Sequence, residues 1–230
     1  HEPQQGTGPF PAIVFNHGSE ELVGSGGLVA KFYTDHGYVV FFPHRRGHGR
    51  SRKAAPYMNH LFDPGVPEDP QKLTAELVAQ SDDVMAAVDY VASLPEVDPK
   101  RIAVIGCSFG GIETLFAAER GTNLTAAVDF AGAAMSWAEN PPLRARMLQA
   151  ARNAQVPVFF IQAENDFDTT PSKVLSEEMK RADKPMQVHI FPPYGTTHRD
   201  GHSFCGGVDG HPAWGDEVLT FLAENMPIVP

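Results

Sequence analysis

Short apolar runs alternate with segments of helical spacing along the chain, and this alternation limits the possible folds more than any other feature. Each run is rich in Val, Ile, Ala or Phe and ends at Gly, Pro or a polar residue, which is typical of buried strands. Strands and helices that alternate in this way form a largely parallel sheet. The predicted strands are 12–16, 38–42, 101–107, 126–130, 156–162 and 186–191.

Helical spacing fills the intervals between these strands. The sequence contains no internal repeat, low-complexity tract or linker, and 230 residues suit one domain with a substantial core. We therefore predict a single α/β domain over 1–230, with a mostly parallel central sheet and helices on both of its faces. The predicted helices are 28–36, 72–94, 110–118, 142–154, 171–182 and 214–225.

The chain opens on His1 rather than Met and reaches its first predicted strand within about ten residues. We expect a processed or trimmed chain whose first strands, and any signal peptide, precede the sequence given. The sequence therefore does not predict the compartment: the protein is expected to be either cytoplasmic or secreted after processing.

Composition excludes several classes of partner. The formal net charge is −10 and no run of Lys and Arg could follow a phosphate backbone, so nucleic acid is not expected as a partner. No apolar run approaches the roughly 20 residues that span a bilayer, so we expect no membrane-embedded segment. Neither a dinucleotide loop, a P-loop lysine nor an H-E-x-x-H pattern is present, so neither a cofactor nor a metal is expected.

The sharpest motif is Gly106-Cys107-Ser108-Phe109-Gly110, which matches G-x-S-x-G between a β-branched strand and a small-residue helix. A serine on such a turn is lifted out of the sheet, and the glycines on both sides keep side chains from colliding. The helix that follows directs its positive N-terminus at the reacting oxygens. We therefore predict that Ser108 is a nucleophile rather than part of a structural turn.

Cys107 is the other candidate nucleophile at this turn. Moving the motif by one residue would put Ile105 and Phe109 where glycines are needed, so Cys107 is interpreted as a small buried side chain. Cys107 and Cys205 flank the predicted site, and a disulfide between them is conceivable. Two free thiols are the prediction.

A serine hydroxyl needs a base, and the base needs a carboxylate to orient it. Where a serine on such a turn is the nucleophile, the three residues follow one another along the chain as serine, acid and histidine. The acid is then expected after the fifth predicted strand, at the sheet edge where α/β proteins bind their ligands. Asp166 is the predicted acid, with Asp168 and Glu164 as alternatives. Asp168 could instead cap the following helix.

The base follows the sixth predicted strand. His202 stands between Gly201 and Ser203-Phe204, where an aromatic ring can pack beneath it. His198 lies in a polar stretch that we interpret as solvated, and His211, which precedes Pro212, is interpreted as a loop residue. His202 is therefore the predicted base.

Two backbone N–H groups are needed to stabilise a tetrahedral oxyanion. One is expected from Phe109, directly after the nucleophile. The other is expected from the loop after the first strand, Asn16-His17-Gly18-Ser19, with Ser19 as the predicted donor.

Taken together, the segments FNHGS, RRGHGRS, GCSFGG and GHSF, with Asp166 at a strand end, resemble the dienelactone hydrolase-like branch of the α/β-hydrolases. The resemblance covers about residues 9–222. It implies the α/β-hydrolase fold without a large cap domain, and a cofactor-free enzyme for small esters or lactones. Dienelactone hydrolases carry Cys at the elbow where this chain has Ser108, so dienelactone itself is not the expected substrate.

The expected reaction is hydrolysis of a small carboxylic ester or lactone through an acyl-enzyme on Ser108, with a small-molecule substrate as partner. Peptide or amide hydrolysis by the same residues is the alternative, and a non-catalytic binding protein of the same fold is a third. Neither acyl and alcohol specificity nor oligomeric state follows from the sequence.

Two further segments near the predicted site have open interpretations. Arg45 and Arg46 could bind a substrate carboxylate, but pairing with acidic residues of the chain is preferred. Residues 54–70, which contain Tyr57, Met58, Leu61 and Phe62, could shape an acyl pocket or cover an edge of the core.

Overall fold

A six-stranded parallel sheet forms the centre of the fold in the computed structural model, which describes residues 1–24, 26–58, 69–206 and 211–226. Every pair of neighbouring strands among them is parallel, in the order β2-β1-β3-β4-β5-β6. The strands are β1 (Phe10–Asn16), β2 (Val39–Phe41), β3 (Val97–Cys107), β4 (Ala126–Phe130), β5 (Val158–Ala163) and β6 (Met186–Phe191).

Helices cover both faces of this sheet, as predicted. They are α1 (Gly27–Asp35), α2 (Pro70–Ala92), α3 (Phe109–Arg120), α4 (Pro141–Asn153), α5 (Thr170–Arg181), α6 (His198–His202) and α7 (His211–Asn225). None of the helices within the described ranges combines the length and the apolar character that a bilayer span requires.

The strand pleat explains why there are two hydrophobic cores. Along β1, Ala12 and Val14 face the core beneath α2, α3, α4 and α5, whereas Ile13 and Phe15 face the core beneath α1 and α7. Because successive strand residues point to opposite faces, a strand buried on both sides appears in the sequence as a continuous apolar run. Both cores are therefore encoded in the same short runs.

Strand order reverses at the centre of the sheet. The chain passes from β1 outward to β2, then returns to β3 on the other side of β1 and continues outward through β4, β5 and β6. Such a reversal leaves a crevice at the carboxyl ends of the two central strands, where ligands of open α/β sheets bind. Here that crevice lies between Asn16, which ends β1, and Cys107, which ends β3.

Most element boundaries agree with the sequence prediction, and two differences bear on the site. The prediction did not include α6, although Thr197 and Asp200 form a capping box whose T-x-x-D spacing is visible in the sequence. His211, predicted to lie in a loop, is the first residue of α7; its side chain lies outside the described part.

Candidate active site

Ser108 occupies a strained turn between β3 and α3. Its backbone has φ 58° and ψ −118°, a positive φ that costs free energy in a residue with a side chain. Hydrogen bonds hold the turn in this conformation: Ser108 N–H donates to Phe130 O (2.9 Å), and Gly111 N–H donates to Ser108 O (2.9 Å). The predicted strand-to-helix elbow is therefore present, with Ser108 half-buried at its apex.

The glycines of the motif permit two close approaches of backbone. A Cβ on Gly106 would overlap the Gly110 carbonyl oxygen, and a Cβ on Gly110 would overlap the Asn16 carbonyl oxygen. The first approach makes the turn tight, and the second brings the N-terminus of α3 against the end of β1. A larger residue at Gly106 would open the turn itself, and one at Gly110 would push apart the two loops that line the crevice.

Ser108, His202 and Asp166 form a continuous hydrogen-bonded chain. His202 Nε2 lies 3.0 Å from Ser108 Oγ, and His202 Nδ1 lies 2.9 Å from Asp166 Oδ1. Because a carboxylate can only accept, Nδ1 carries the proton and Nε2 is left to accept from the serine hydroxyl. This is the arrangement in which a histidine can remove the serine proton.

Asp166 is held by more than His202. Its side chain is fully buried, Phe167 N–H donates to Oδ1 (2.6 Å), and Gln162 Nε2 donates to Oδ2 (2.7 Å). Gln162 is itself fixed by Ser172 Oγ–H, which donates to Gln162 Oε1 (2.8 Å). Sequence analysis did not identify Gln162, although an amide side chain at the penultimate position of the otherwise apolar strand β5 is the signal that could have done so.

The alternative residues take other positions. Asp168 Oδ1 accepts from the N–H of Thr170, the first residue of α5 (2.8 Å), although the N-cap residue of that helix is Thr169, and Glu164 is exposed. His198 is also exposed, and its Nδ1 lies 3.0 Å from Asn165 O. None of these three side chains forms a hydrogen bond to the side chain of Ser108 or His202 in the described residues.

The loop after β1 faces the elbow. At Gly18, an added Cβ would lie 3.5 Å from both Ser108 Cβ and Cys107 O, so the loop passes directly beside the nucleophile. Ser19 lines the same crevice as Ser108, and Phe109 begins α3. The two predicted oxyanion donors therefore lie on the two loops that meet at Ser108.

The two arginines after β2 pair with acidic residues of the chain, which is the interpretation preferred from the sequence. Arg45 is fully buried, with Nε 2.7 Å from Glu113 Oε2, and Arg46 pairs with Asp83 (2.7 Å). Burial raises the pKa of Glu113 to about 8, a rise that the charge of Arg45 only partly offsets. Glu113 was missed by the sequence analysis, because a helical Glu carries no sign that it is buried.

Cys107 and Cys205 form a disulfide, with Cα atoms 6.1 Å apart, so the prediction of two free thiols was wrong. The chain after α6 turns back against the end of β3, bringing together two residues that are 98 positions apart. Sequence spacing could not show this approach. Cys107 is partly buried as expected, but its sulfur is bonded and is not available as a nucleophile.

A cleft of about 790 Å³ opens above Ser108 and His202. Its size is within the usual range for small-molecule sites. Glu20 and Arg199 bring charge to its wall, which is otherwise largely apolar and includes Phe15, Val23, Val29, Phe42, Met135 and Phe167.

In the segment 54–70, which was predicted to shape a pocket or to cover an edge of the core, the structure describes Tyr57 and Met58. Tyr57 OH donates to Ser19 O (2.6 Å), and Met58 is buried in the core beneath α2, which agrees with the edge-covering interpretation. Leu61 and Phe62 lie outside the described residues. In the described ranges there is also no group of three His, Cys, Asp or Glu side chains placed to hold a metal ion.

Several solved structures have the same fold as this chain. Pyrococcus horikoshii acylaminoacyl peptidase has 17% sequence identity and a TM-score of 0.69, covering 100% of this chain and 39% of that one. A proposed dienelactone hydrolase from Klebsiella pneumoniae subsp. pneumoniae MGH 78578 has 16% identity and a TM-score of 0.66, covering 97% and 90%. The structure of 2,6-dihydroxy-pseudo-oxynicotine hydrolase has 16% sequence identity and a TM-score of 0.67, and the match covers 98% of this chain and 63% of that one. The chain thus spans less than half the length of the peptidase.

Comparison with curated proteins gives no match. The model of the dienelactone hydrolase family, in contrast, matches residues 4–205, which include β1, the elbow, Asp166 and His202. This match confirms the resemblance and the fold class drawn from the sequence motifs. The chain belongs to the dienelactone hydrolase family, with serine at the elbow position.

Proposed function

We propose that the protein hydrolyses small carboxylic esters or lactones through an acyl-enzyme on Ser108. The observation that carries the proposal is the hydrogen-bonded chain from Asp166 through His202 to Ser108 Oγ, which ends at an open cleft. A serine oriented in this way attacks acyl carbons. The cleft volume of about 790 Å³ and its mostly apolar walls favour a small, largely uncharged acyl compound.

In the first half of the reaction, Ser108 Oγ bonds to the carbonyl carbon and its proton passes to His202 Nε2. Asp166 stabilises the imidazolium that forms. The carbonyl oxygen becomes an oxyanion, which accepts hydrogen bonds from the Ser19 and Phe109 N–H groups. When the intermediate collapses, the ester bond breaks and the departing alkoxide takes the proton from His202. In a lactone the alcohol stays attached to the acyl group.

In the second half, water attacks the acyl carbon and gives its proton to His202 Nε2. The second intermediate expels Ser108 Oγ, which recovers the proton, and the carboxylic acid leaves. The protein is unchanged after the cycle. No cofactor is needed, because the serine and the histidine supply both the nucleophile and the proton transfer.

The test combines covalent labelling with turnover. A fluorophosphonate probe should label the protein, p-nitrophenyl acetate and butyrate should be hydrolysed, and Ser108→Ala should abolish both. Ser93→Ala is a matched control, because the exposed Ser93 hydroxyl bonds only to Tyr90 O at the end of α2. Labelling of Ser108→Ala at the wild-type rate would move the nucleophile elsewhere.

Amide hydrolysis is the second outcome of the same assay. Matched p-nitroanilides with the same acyl groups compare an amine with an alcohol leaving group. We expect ester turnover to exceed anilide turnover by orders of magnitude. Comparable rates on both would replace the esterase assignment with a peptidase or amidase one, and labelling without turnover of either would indicate a different acyl substrate.

A further inference from the structure

The carbonyl groups of the loop after β1 are held from the side opposite the cleft. Arg45, which follows β2, donates through Nη1 to His17 O (2.8 Å) and through Nη2 to Gly18 O (2.9 Å). The guanidinium is buried and reaches back across the sheet from β2 to β1. One side chain therefore fixes two consecutive peptide planes beside Ser108.

Fixing a carbonyl also fixes the N–H group of the next residue. In a trans peptide unit the C=O and the following N–H lie in one plane and point in opposite directions. Holding Gly18 O on the buried side therefore directs the Ser19 N–H to the other side of the loop, where the loop borders the cleft. The same argument applies to His17 O and the Gly18 N–H.

Further hydrogen bonds continue this pattern along the loop. Tyr57 OH donates to Ser19 O (2.6 Å), and His48 Nδ1 lies 2.8 Å from Glu20 O. His17 Nδ1 lies 2.9 Å from Gly18 O, which therefore has both a histidine and an arginine within hydrogen-bond distance. Four consecutive carbonyl oxygens, of residues 17–20, are held by side chains.

Arg45 is itself fixed by two partners. Its Nε–H donates to Gln80 Oε1 on α2 (3.0 Å), and Nε lies 2.7 Å from Glu113 Oε2 on α3. Glu113 belongs to the helix that begins directly after Ser108. The ion pair therefore joins the β1 loop to the helix of the elbow. A buried arginine and glutamate are costly to desolvate, so stability alone is a weak reason for such a pair.

We propose that Arg45 is a positioning residue that orients the Ser19 N–H as an oxyanion donor, with Glu113 holding the guanidinium in place. The proposal rests on the proposed function, since it refines how that reaction's oxyanion is stabilised. Arg45 touches neither the cleft nor Ser108. Its effect on the reaction passes entirely through the peptide units 17–18 and 18–19.

The first variant to test is Arg45→Lys. Lysine keeps the positive charge but presents a single ammonium, which cannot hold two carbonyls and Gln80 in the fork geometry of arginine. Removing a whole oxyanion donor typically costs about 10²–10³ in kcat. For a misdirected donor we expect kcat to fall about 10- to 100-fold with KM little changed, because the oxyanion forms only after substrate binds.

Arg46→Lys is the matched control. Arg46 is the next residue, but it pairs with Asp83 on α2 and contacts none of the loop carbonyls. It should keep the wild-type kcat. In Arg45→Lys the acid-side midpoint of the kcat/KM pH profile should stay at its wild-type position, because Asp166 and His202 are untouched. A merely structural loss would lower the thermal midpoint and the fraction of protein that a fluorophosphonate labels to completion, but it would leave kcat per labelled site at the wild-type value.

A second variant keeps the test decisive if Arg45→Lys does not fold. Glu113→Gln leaves the guanidinium and its carbonyl bonds but removes their charge partner, which is ionised above its raised pKa of about 8. Measured at pH 9, kcat should therefore fall several-fold, less than in Arg45→Lys. Wild-type kcat in a folded Arg45→Lys protein, or in Glu113→Gln when Arg45→Lys does not fold, would overturn the inference, as would a rise in KM with kcat unchanged. If the wild type turned over no ester, the proposed function would fail instead, and the fluorophosphonate labelling rates of the same variants would decide the role of Arg45.

Discussion

Cys107 and Cys205 are joined by a disulfide that connects the residue before Ser108 to the third residue after His202. The bond therefore ties the turn that carries Ser108 to the segment that carries His202. Besides this bond, that segment is held by Trp214 Nε1–H, which donates to Phe204 O (3.0 Å), and by His202 itself. Two segments that are hydrogen-bonded to each other through Ser108 Oγ and His202 Nε2 are thus also covalently linked.

We expect the double variant Cys107→Ala/Cys205→Ala to be less stable and less active. A cross-link that closes a loop of about 100 residues contributes as much as ~4.7 kcal/mol by chain entropy and typically 2–4 kcal/mol in practice. Urea unfolding should show a loss in that range. The value of kcat should also fall, because the His202 segment is then free to move relative to Ser108.

The wild type in the presence of a reductant is the matched comparison, and it should approach the double variant in both measurements. Alkylation of the denatured, unreduced protein should modify neither cysteine. Two alkylated cysteines in mass spectra would contradict the disulfide.

Asp166→Asn should lower kcat by about 10³- to 10⁴-fold, the size expected when the group that orients a catalytic histidine is changed to an amide. An asparagine oxygen could still accept from His202 Nδ1–H, but it would carry no charge to stabilise the imidazolium, and an amide N–H facing His202 would favour the wrong tautomer. Steady-state kinetics with p-nitrophenyl acetate measure the change.

Asp168→Asn is the control for Asp166. Asp168 accepts from Thr170 N–H, and an asparagine can keep that bond, so kcat should remain within about twofold of wild type. If Asp168→Asn were as damaging as Asp166→Asn, the assignment of the acid to Asp166 would be wrong.

Gly110→Ala should destabilise the protein, although alanine is the better helix former. The gain from helix propensity is about 1 kcal/mol, and overpacking typically costs 1–3 kcal/mol. Here the added methyl group would meet backbone oxygens of Asn16 and His17, which cannot rotate away as a side chain could. The net change should therefore be a loss of stability, measurable by thermal unfolding.

Gly206→Ala serves as the control for that substitution. Gly206 has φ −130°, and an added Cβ would meet nothing within 4 Å. Its thermal midpoint should match the wild type within error. Equal effects of the two substitutions would show that the close approach at Gly110 is not the cause.

Asp129→Asn should stabilise the protein at alkaline pH and not in acid. Asp129 is buried at the end of β4, and burial raises its carboxyl pKa from 3.8 to about 7, against the opposing effect of the bond from Gly132 N–H. Between about pH 4 and 7 the unfolded chain releases the proton while the folded protein retains it, so folding stability falls as pH rises. Asparagine removes this cost and can still accept from Gly132 N–H (2.8 Å).

The measurement is the difference in thermal midpoint between Asp129→Asn and wild type, at pH 8 and at pH 4. Glu113 also has a pKa that burial raises, so it too makes stability fall as pH rises. Because both proteins contain Glu113, its contribution cancels in the difference between their thermal midpoints. A stabilisation that is the same at both pH values would show that the carboxyl pKa of Asp129 is not raised by burial.

The sequence by itself determined the parallel α/β fold and the elbow. Strands buried on both faces must be continuous apolar runs, and a tight strand-to-helix turn needs glycine at Gly106 and Gly110, so both features are visible in local composition. The sequence also predicted that Asp166 and His202 would lie close to Ser108. Each follows a strand of a parallel sheet, and the carboxyl ends of such strands lie at the same edge.

Only the tertiary structure decided what surrounds these residues. The Cys107–Cys205 bond and the reach of Arg45 to Gly18 O both join segments that are far apart in the chain. The sequence distance between such partners carries no information about their separation in space. Burial of Glu113 and Asp129 depends on neighbours contributed by distant elements, so their raised pKa values could not be predicted from residue type or local pattern.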